Sequence, residues 1–123
     1  MAAALMLPAS PGALAQSIGN AVDGKSLYEA KCGGCHAVDA NRVGPLHRGV
    51  VGRKVASVPG YEYSQALKQL RGIWTRERLD KWLQGPQDMA PGNNMYFSLD
   101  DVAQRRDIIA YLATLSAPVA ARK

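Results

Sequence analysis

The chain of 123 residues is poor in the side chains on which metal and thiol chemistry usually rests: it has two cysteines and two histidines. A structural zinc site needs four ligands, and beyond Cys32, Cys35 and His36 only His47 is left, with no further cysteine. No βαβ pattern surrounds the two thiols, which counts against a thioredoxin-like redox pair. No strand pattern, internal repeat or low-complexity run is present. The basic residues are dispersed and never form a run interleaved with aromatics. Nucleic-acid binding is therefore not expected, although the formal net charge is +5. The apolar stretch from Met1 to Ala15 is too short to cross a bilayer, so no membrane span is expected.

Against these absences stands Cys32-Gly33-Gly34-Cys35-His36. Two thiols followed by an imidazole at this spacing read as a c-type haem attachment site. Each cysteine adds to one vinyl group, and the next residue's imidazole reaches the iron. The two glycines are expected to let the backbone lie close to a flat porphyrin. A disulfide between Cys32 and Cys35 would use the same thiols. With 47% hydrophobic residues, the chain can build one small domain around a large apolar cofactor.

Residues 1–15 read as an export signal, ending in the A-x-A pattern Ala13-Leu14-Ala15 with cleavage expected after Ala15, although no basic residue precedes Lys25. Residues 16–123 then form a single domain with its core at about 22–116. Val22 to Lys31 has helical spacing, with Asp23 expected as N-cap, and runs directly into the haem motif. Ala37 to Gly60 lacks any sustained period and is expected to be an ordered loop around a ligand. Two helices follow, Ser64 to Leu70 and Thr75 to Gln84, the second capped by Thr75 and ended by Gly85-Pro86. Pro86 to Phe97 reads as a second wrapping loop. Ser98 is expected to cap a last helix whose apolar face is Val102, Ile108, Ile109, Leu112 and Leu115.

Within that frame, Val43-Gly44-Pro45-Leu46-His47-Arg48-Gly49-Val50-Val51-Gly52-Arg53-Lys54, Pro59-Gly60-Tyr61-Glu62-Tyr63 and Met89-Ala90-Pro91-Gly92-Asn93-Asn94-Met95-Tyr96-Phe97 resemble the class I cytochrome c family in its long-loop, mitochondrial-like bacterial branch. The resemblance runs from about Gly24 to Leu115 and implies an all-α fold. In it, the first and last helices cross and loops wrap one covalently bound haem c. Outside the leader there are two methionines, and the resemblance gives the sixth iron position to Met95, three residues after Pro91-Gly92. It leaves Met89 as a filler. His47 is the rival ligand and is otherwise a satisfied loop histidine.

The same resemblance assigns supporting roles. Pro45 offers its carbonyl to His36. Arg53, Tyr63 and Trp74 neutralise or hydrogen-bond a haem propionate. Phe97 covers the haem edge, and Tyr28 and Tyr111 pack where the terminal helices cross, with Gly24 allowing close approach. Trp82 stands where a tyrosine commonly donates to the methionine sulfur, which leaves open whether an indole N–H serves. Leu67 replaces an asparagine, and Asn93 and Asn94 replace a threonine and a lysine. The implied function is a soluble, monomeric electron carrier, not an enzyme, whose iron cycles between ferric and ferrous states. Its partners would be transient redox proteins: an oxidase, a cytochrome complex or a dehydrogenase. Lys31, with Arg42, Lys54 or Lys81, would steer them. The implied location is the periplasm, with the mitochondrial intermembrane space as alternative. A dedicated electron-accepting subunit of a periplasmic dehydrogenase, and a haem sensor or peroxidase with an open iron site, are the competing functions.

Overall fold

In the computed structural model, residues 4–6 and 18–117 are described. The expected cleavage site at Ala15, and most of the expected export segment, lie outside them. Among the described residues the regular elements are all helical: α1 (Ala21–Lys31), α2 (Gln65–Gln69), α3 (Arg76–Gln84), α4 (Pro86–Met89) and α5 (Val102–Ala113). The only β-type pairing among them is an isolated antiparallel bridge between Lys54 and Ile73. Among the described residues no helix is long and apolar enough to cross a membrane.

The terminal helices α1 and α5 pack against each other, and Gly24 sets how closely. A Cβ there would lie 1.8 Å from the backbone oxygen of Asp107, so only glycine admits this approach. Tyr28 and Tyr111 meet at the same crossing with ring centroids 5.4 Å apart. The cap of α1 is not Asp23 but Asn20, whose side-chain oxygen accepts from the backbone N–H groups of Val22 and Asp23. Asn20 also donates its own N–H to the Asp107 carboxylate at 2.8 Å, so the cap is chosen by a contact with α5 that local sequence does not reveal.

Likewise α5 is capped by Asp101, which accepts from Gln104 N–H, and not by Ser98. The residues between are tied down by hydrogen bonds: Leu99 donates its N–H to Leu83 O, and the carbonyls of Leu99 and Asp100 accept from Arg105. Arg105 is 3% exposed and also pairs with Asp80 at 2.7 Å. It takes the place on the buried face expected for Val102, which is 49% exposed. Ile108, Ile109 and Leu112 are buried as expected.

Ser64 and Thr75 cap α2 and α3 as their sequence patterns imply, accepting from Leu67 and Arg78 N–H. Leu79, Trp82 and Leu83 form the buried face of α3. The stretch expected as a loop from Pro86 instead begins with the single turn α4, because proline's fixed φ suits a first helical position and its missing N–H is no loss there. The long segment between α1 and α2 is ordered by backbone bonds to distant chain: Gly49 N–H to Leu115, Gly52 N–H to Trp74 and Trp74 N–H to Arg53.

Candidate haem site

Helix α1 ends in a tight turn that carries the two thiols and the imidazole. Cys32 and Gly33 donate their N–H groups to Tyr28 O, and Cys35 and His36 donate theirs to Cys32 O. Gly33 is required by this turn, since a Cβ there would lie 2.6 Å from Glu29 O, whereas one at Gly34 would meet nothing within 4 Å. So close packing on α1, not only closeness to a ligand, accounts for the first glycine. Arg42 spans the turn from outside, donating from Nη1 to Gly33 O at 2.7 Å. Its guanidinium is exposed and keeps its charge while it braces the turn.

The turn faces a cavity of about 380 Å³ bounded by α1, the wrapping segment, α3, the 86–97 segment and α5. Cys32, Cys35, His36 and Met95 all line it, as do Pro45, Arg53, Tyr63, Trp74, Trp82 and Phe97. These ten positions therefore line one cavity. Met89 lines a separate, smaller hollow with Ala66, Leu70 and Pro91 and is not on the main cavity.

The surroundings of His36 fix its tautomer and favour its neutral form. The Pro45 carbonyl can only accept, so the 2.8 Å contact puts the proton on Nδ1 and leaves Nε2 with a free lone pair in the neutral ring. Burial lowers the His36 pKa, which favours that neutral form. Gly44 lies against the ring: a Cβ there would fall 2.2 Å from Cε1. Burial also pushes the Cys32 thiol up to about 11.

Met95 is held from several directions. Its backbone N–H donates to Asn93 Oδ1 at 2.6 Å, and Asn93, 2% exposed, donates through Nδ2 to the carbonyls of Pro86 and Ala90. Gln87 donates through Nε2 to Asn93 O and Met95 O and accepts from Gly92 N–H. Trp82 Nε1 donates to the Met95 sulfur at 3.2 Å, so an indole N–H occupies the donor position left open in the sequence. Gln87 and the buried role of Asn93 were not legible beforehand. The sequence signal is two carboxamide residues flanking the Pro91-Gly92 turn, which alone does not tell a staple from two solvated side chains.

The anionic edge of a haem has a matching group. Arg53 donates from Nη1 to Leu46 O, but its Nε is buried without a partner among the described residues. Among the described residues no carboxylate pairs with it, and burial lowers its pKa. A part-buried cation with a buried, unpartnered N–H on a largely apolar cavity is suited to a ligand carboxylate. Tyr63 accepts from Val58 N–H at 3.0 Å, which leaves its own O–H free to donate. The residues present therefore fit a haem with two thioether links and a buried propionate.

His47 is satisfied: its Nδ1 lies 2.9 Å from the Tyr28 hydroxyl, and its ring stacks on His36 with centroids 4.0 Å apart. A ring stacked beside His36 cannot stand across an iron from it.

The family model described as Cytochrome c matches residues 21–116. Cytochrome c-type cyt cy of Rhodobacter capsulatus is 44% identical over 99 residues, which cover 79% of this chain and 50% of that protein. The chain thus spans about half the length of that relative. Cytochrome c of Euglena viridis is 42% identical over 100 residues, covering 79% of this chain and 98% of that one. Among solved structures, cytochrome cH from Methylobacterium extorquens superposes with a TM-score of 0.75 at 40% identity, covering 78% of this chain and 99% of that one.

Proposed function

The chain belongs to the cytochrome c family, is an electron carrier with one covalent haem c and not an enzyme, and we propose that Cys32 and Cys35 tether that haem while His36 and Met95 ligate its iron. Bound there, the haem supplies an iron that gains and loses single electrons. The observation that carries the reading is the convergence of those four side chains on one cavity, with each ligand atom already oriented by a hydrogen bond.

The protein's own part is to hold, orient and exclude. Pro45 fixes the His36 tautomer and strengthens Nε2 as a donor. Trp82 directs its N–H at the Met95 sulfur, and Gln87 and Asn93 brace the backbone on both sides of Met95. Because both ligands are held before and after electron transfer, little rearrangement accompanies it. Thioether ligation and a low-dielectric pocket favour the reduced state, in which the iron carries less charge, so a positive potential is expected. Arg53, Tyr63 and Trp74 receive one propionate. Phe97 screens the haem edge.

Partners are met transiently near the cavity mouth, where Lys31 is exposed, and Lys54 and Lys81 add exposed positive charge. They would be an oxidase, a cytochrome complex or a dehydrogenase, and the working compartment would be the periplasm. A pyridine haemochrome spectrum of protein made in cells competent for c-type maturation tests the attachment. Two saturated vinyl positions and pigment that resists acidified solvent are expected, and a colourless product would overturn the reading. A redox titration then tests for a one-electron couple at positive potential.

A further inference from the structure

His47 is a second imidazole on the cavity wall that electron transfer as described does not use. Its ring lies nearly parallel to that of His36, 20° between planes and 4.0 Å between centroids. The Tyr28 hydroxyl holds it there at 2.9 Å from Nδ1, and its backbone is pinned by His47 N–H to Ala37 O and Val50 N–H to His47 O. Tyr28 is itself buried against Tyr111 in the crossing of α1 and α5.

Among the described residues the His36 ring makes one hydrogen bond, to Pro45 O. A single bond at Nδ1 fixes a direction but leaves the ring free to tilt about it. Gly44 limits that tilt by close approach to the ring, and the flat face of His47 closes it on another side. An aliphatic residue at this position would fill space but present no plane, and an unanchored imidazole would turn. From this arrangement we infer that His47, locked by Tyr28, is a positioning residue that sets the plane of the His36 imidazole over the haem. The inference rests on His36 being an axial ligand. It makes the helix crossing, through Tyr28, part of the iron's surroundings.

The plane of an axial imidazole decides which iron orbital it meets, and so how unpaired spin in the ferric protein spreads over the four haem methyl groups. Proton NMR of the ferric holoprotein reads that spread directly. Tyr28→Phe keeps the ring and removes the hydroxyl, and His47→Leu keeps bulk and removes the plane. Both are expected to change the order or spacing of the methyl resonances while the sulfur-to-iron absorption band persists. Ile109→Val, which thins the buried face of α5, is expected to lower the unfolding midpoint and leave the pattern in place. Methyl patterns in Tyr28→Phe and His47→Leu that overlay the parent's would overturn the positioning role alone. A change of equal size in Ile109→Val would overturn it too, as general loosening. A parent spectrum without the signals of an imidazole-bound low-spin haem would instead remove the ligation on which the inference rests.

Discussion

The indole N–H of Trp82, on α3, donates to the sulfur of Met95 across 3.2 Å, thirteen residues further along the chain. A hydrogen bond of this kind draws density from the sulfur and weakens it as a donor, more so toward ferric than ferrous iron. Trp82→Phe keeps the packing of a ring and deletes the donor. Its reduction potential is expected to fall by tens of millivolts, in keeping with the ~1 kcal/mol net worth of one hydrogen bond. A spectroelectrochemical titration checks this, and an unchanged potential would show that the N–H does not act on the iron.

Beyond residue 15 two methionines, Met89 and Met95, compete for the sixth position, but only Met95 lines the main cavity. Met95→Ala is expected to abolish the sulfur-to-iron band, lower the potential and let carbon monoxide bind the ferrous form rapidly. Met89→Ala is expected to keep the band. Its survival in the Met95 variant would assign the ligand elsewhere.

Gln87 makes three hydrogen bonds to the backbone around Met95. Under the proposed ligation, losing them leaves Met95 in place but makes its segment easier to open. At about 0.5–1 kcal/mol each, Gln87→Ala is expected to speed cyanide binding to the ferric protein by roughly tenfold to a hundredfold. Stopped-flow absorbance measures this, with parent-like rates as the contrary outcome.

Any side chain at position 24 collides with the backbone of α5. Gly24→Ala must push the terminal helices apart and is expected to destabilise the holoprotein by ~1–3 kcal/mol, the usual range for overpacking. Denaturant unfolding gives the value, and a midpoint within error of the parent's would mean that the crossing has slack.

Arg48 bonds the Asp39 carboxylate through Nε and holds its pKa below the ordinary value of about 3.9. A depressed carboxylate stabilises the fold above the unfolded-state pKa and loses that contribution as pH falls through the folded one. Both side chains are solvent-accessible, so the effect is small. Asp39→Asn is expected to be slightly less stable than the parent at pH 7 and to converge with it at acid pH. A gap of constant size from pH 7 to pH 3 in urea midpoints would contradict the assignment.

What the order of residues determined by itself is the chemistry confined to a few consecutive positions and the helices with clear periodicity. Cys32, Cys35 and His36 lie within one turn, where spacing dictates geometry, and the Leu79, Trp82 and Leu83 face follows from a 3.6-residue period. The assignment of Met95 over Met89 comes only from the resemblance of the 89–97 segment to the family's loop, and Met95 is the one of the two that lines the main cavity. What only the tertiary structure decided depends on groups far apart in the chain. The cap of α1 is Asn20 because Asp107 reaches it, α5 is capped by Asp101 because Arg105 claims the carbonyls of the residues before it, and His47 faces His36 because Tyr28 bonds it there. Local sequence offers several residues able to cap, stack or donate. Which one does so is settled by burial, since a polar group taken out of water must find the partner that the folded path of the chain brings within reach.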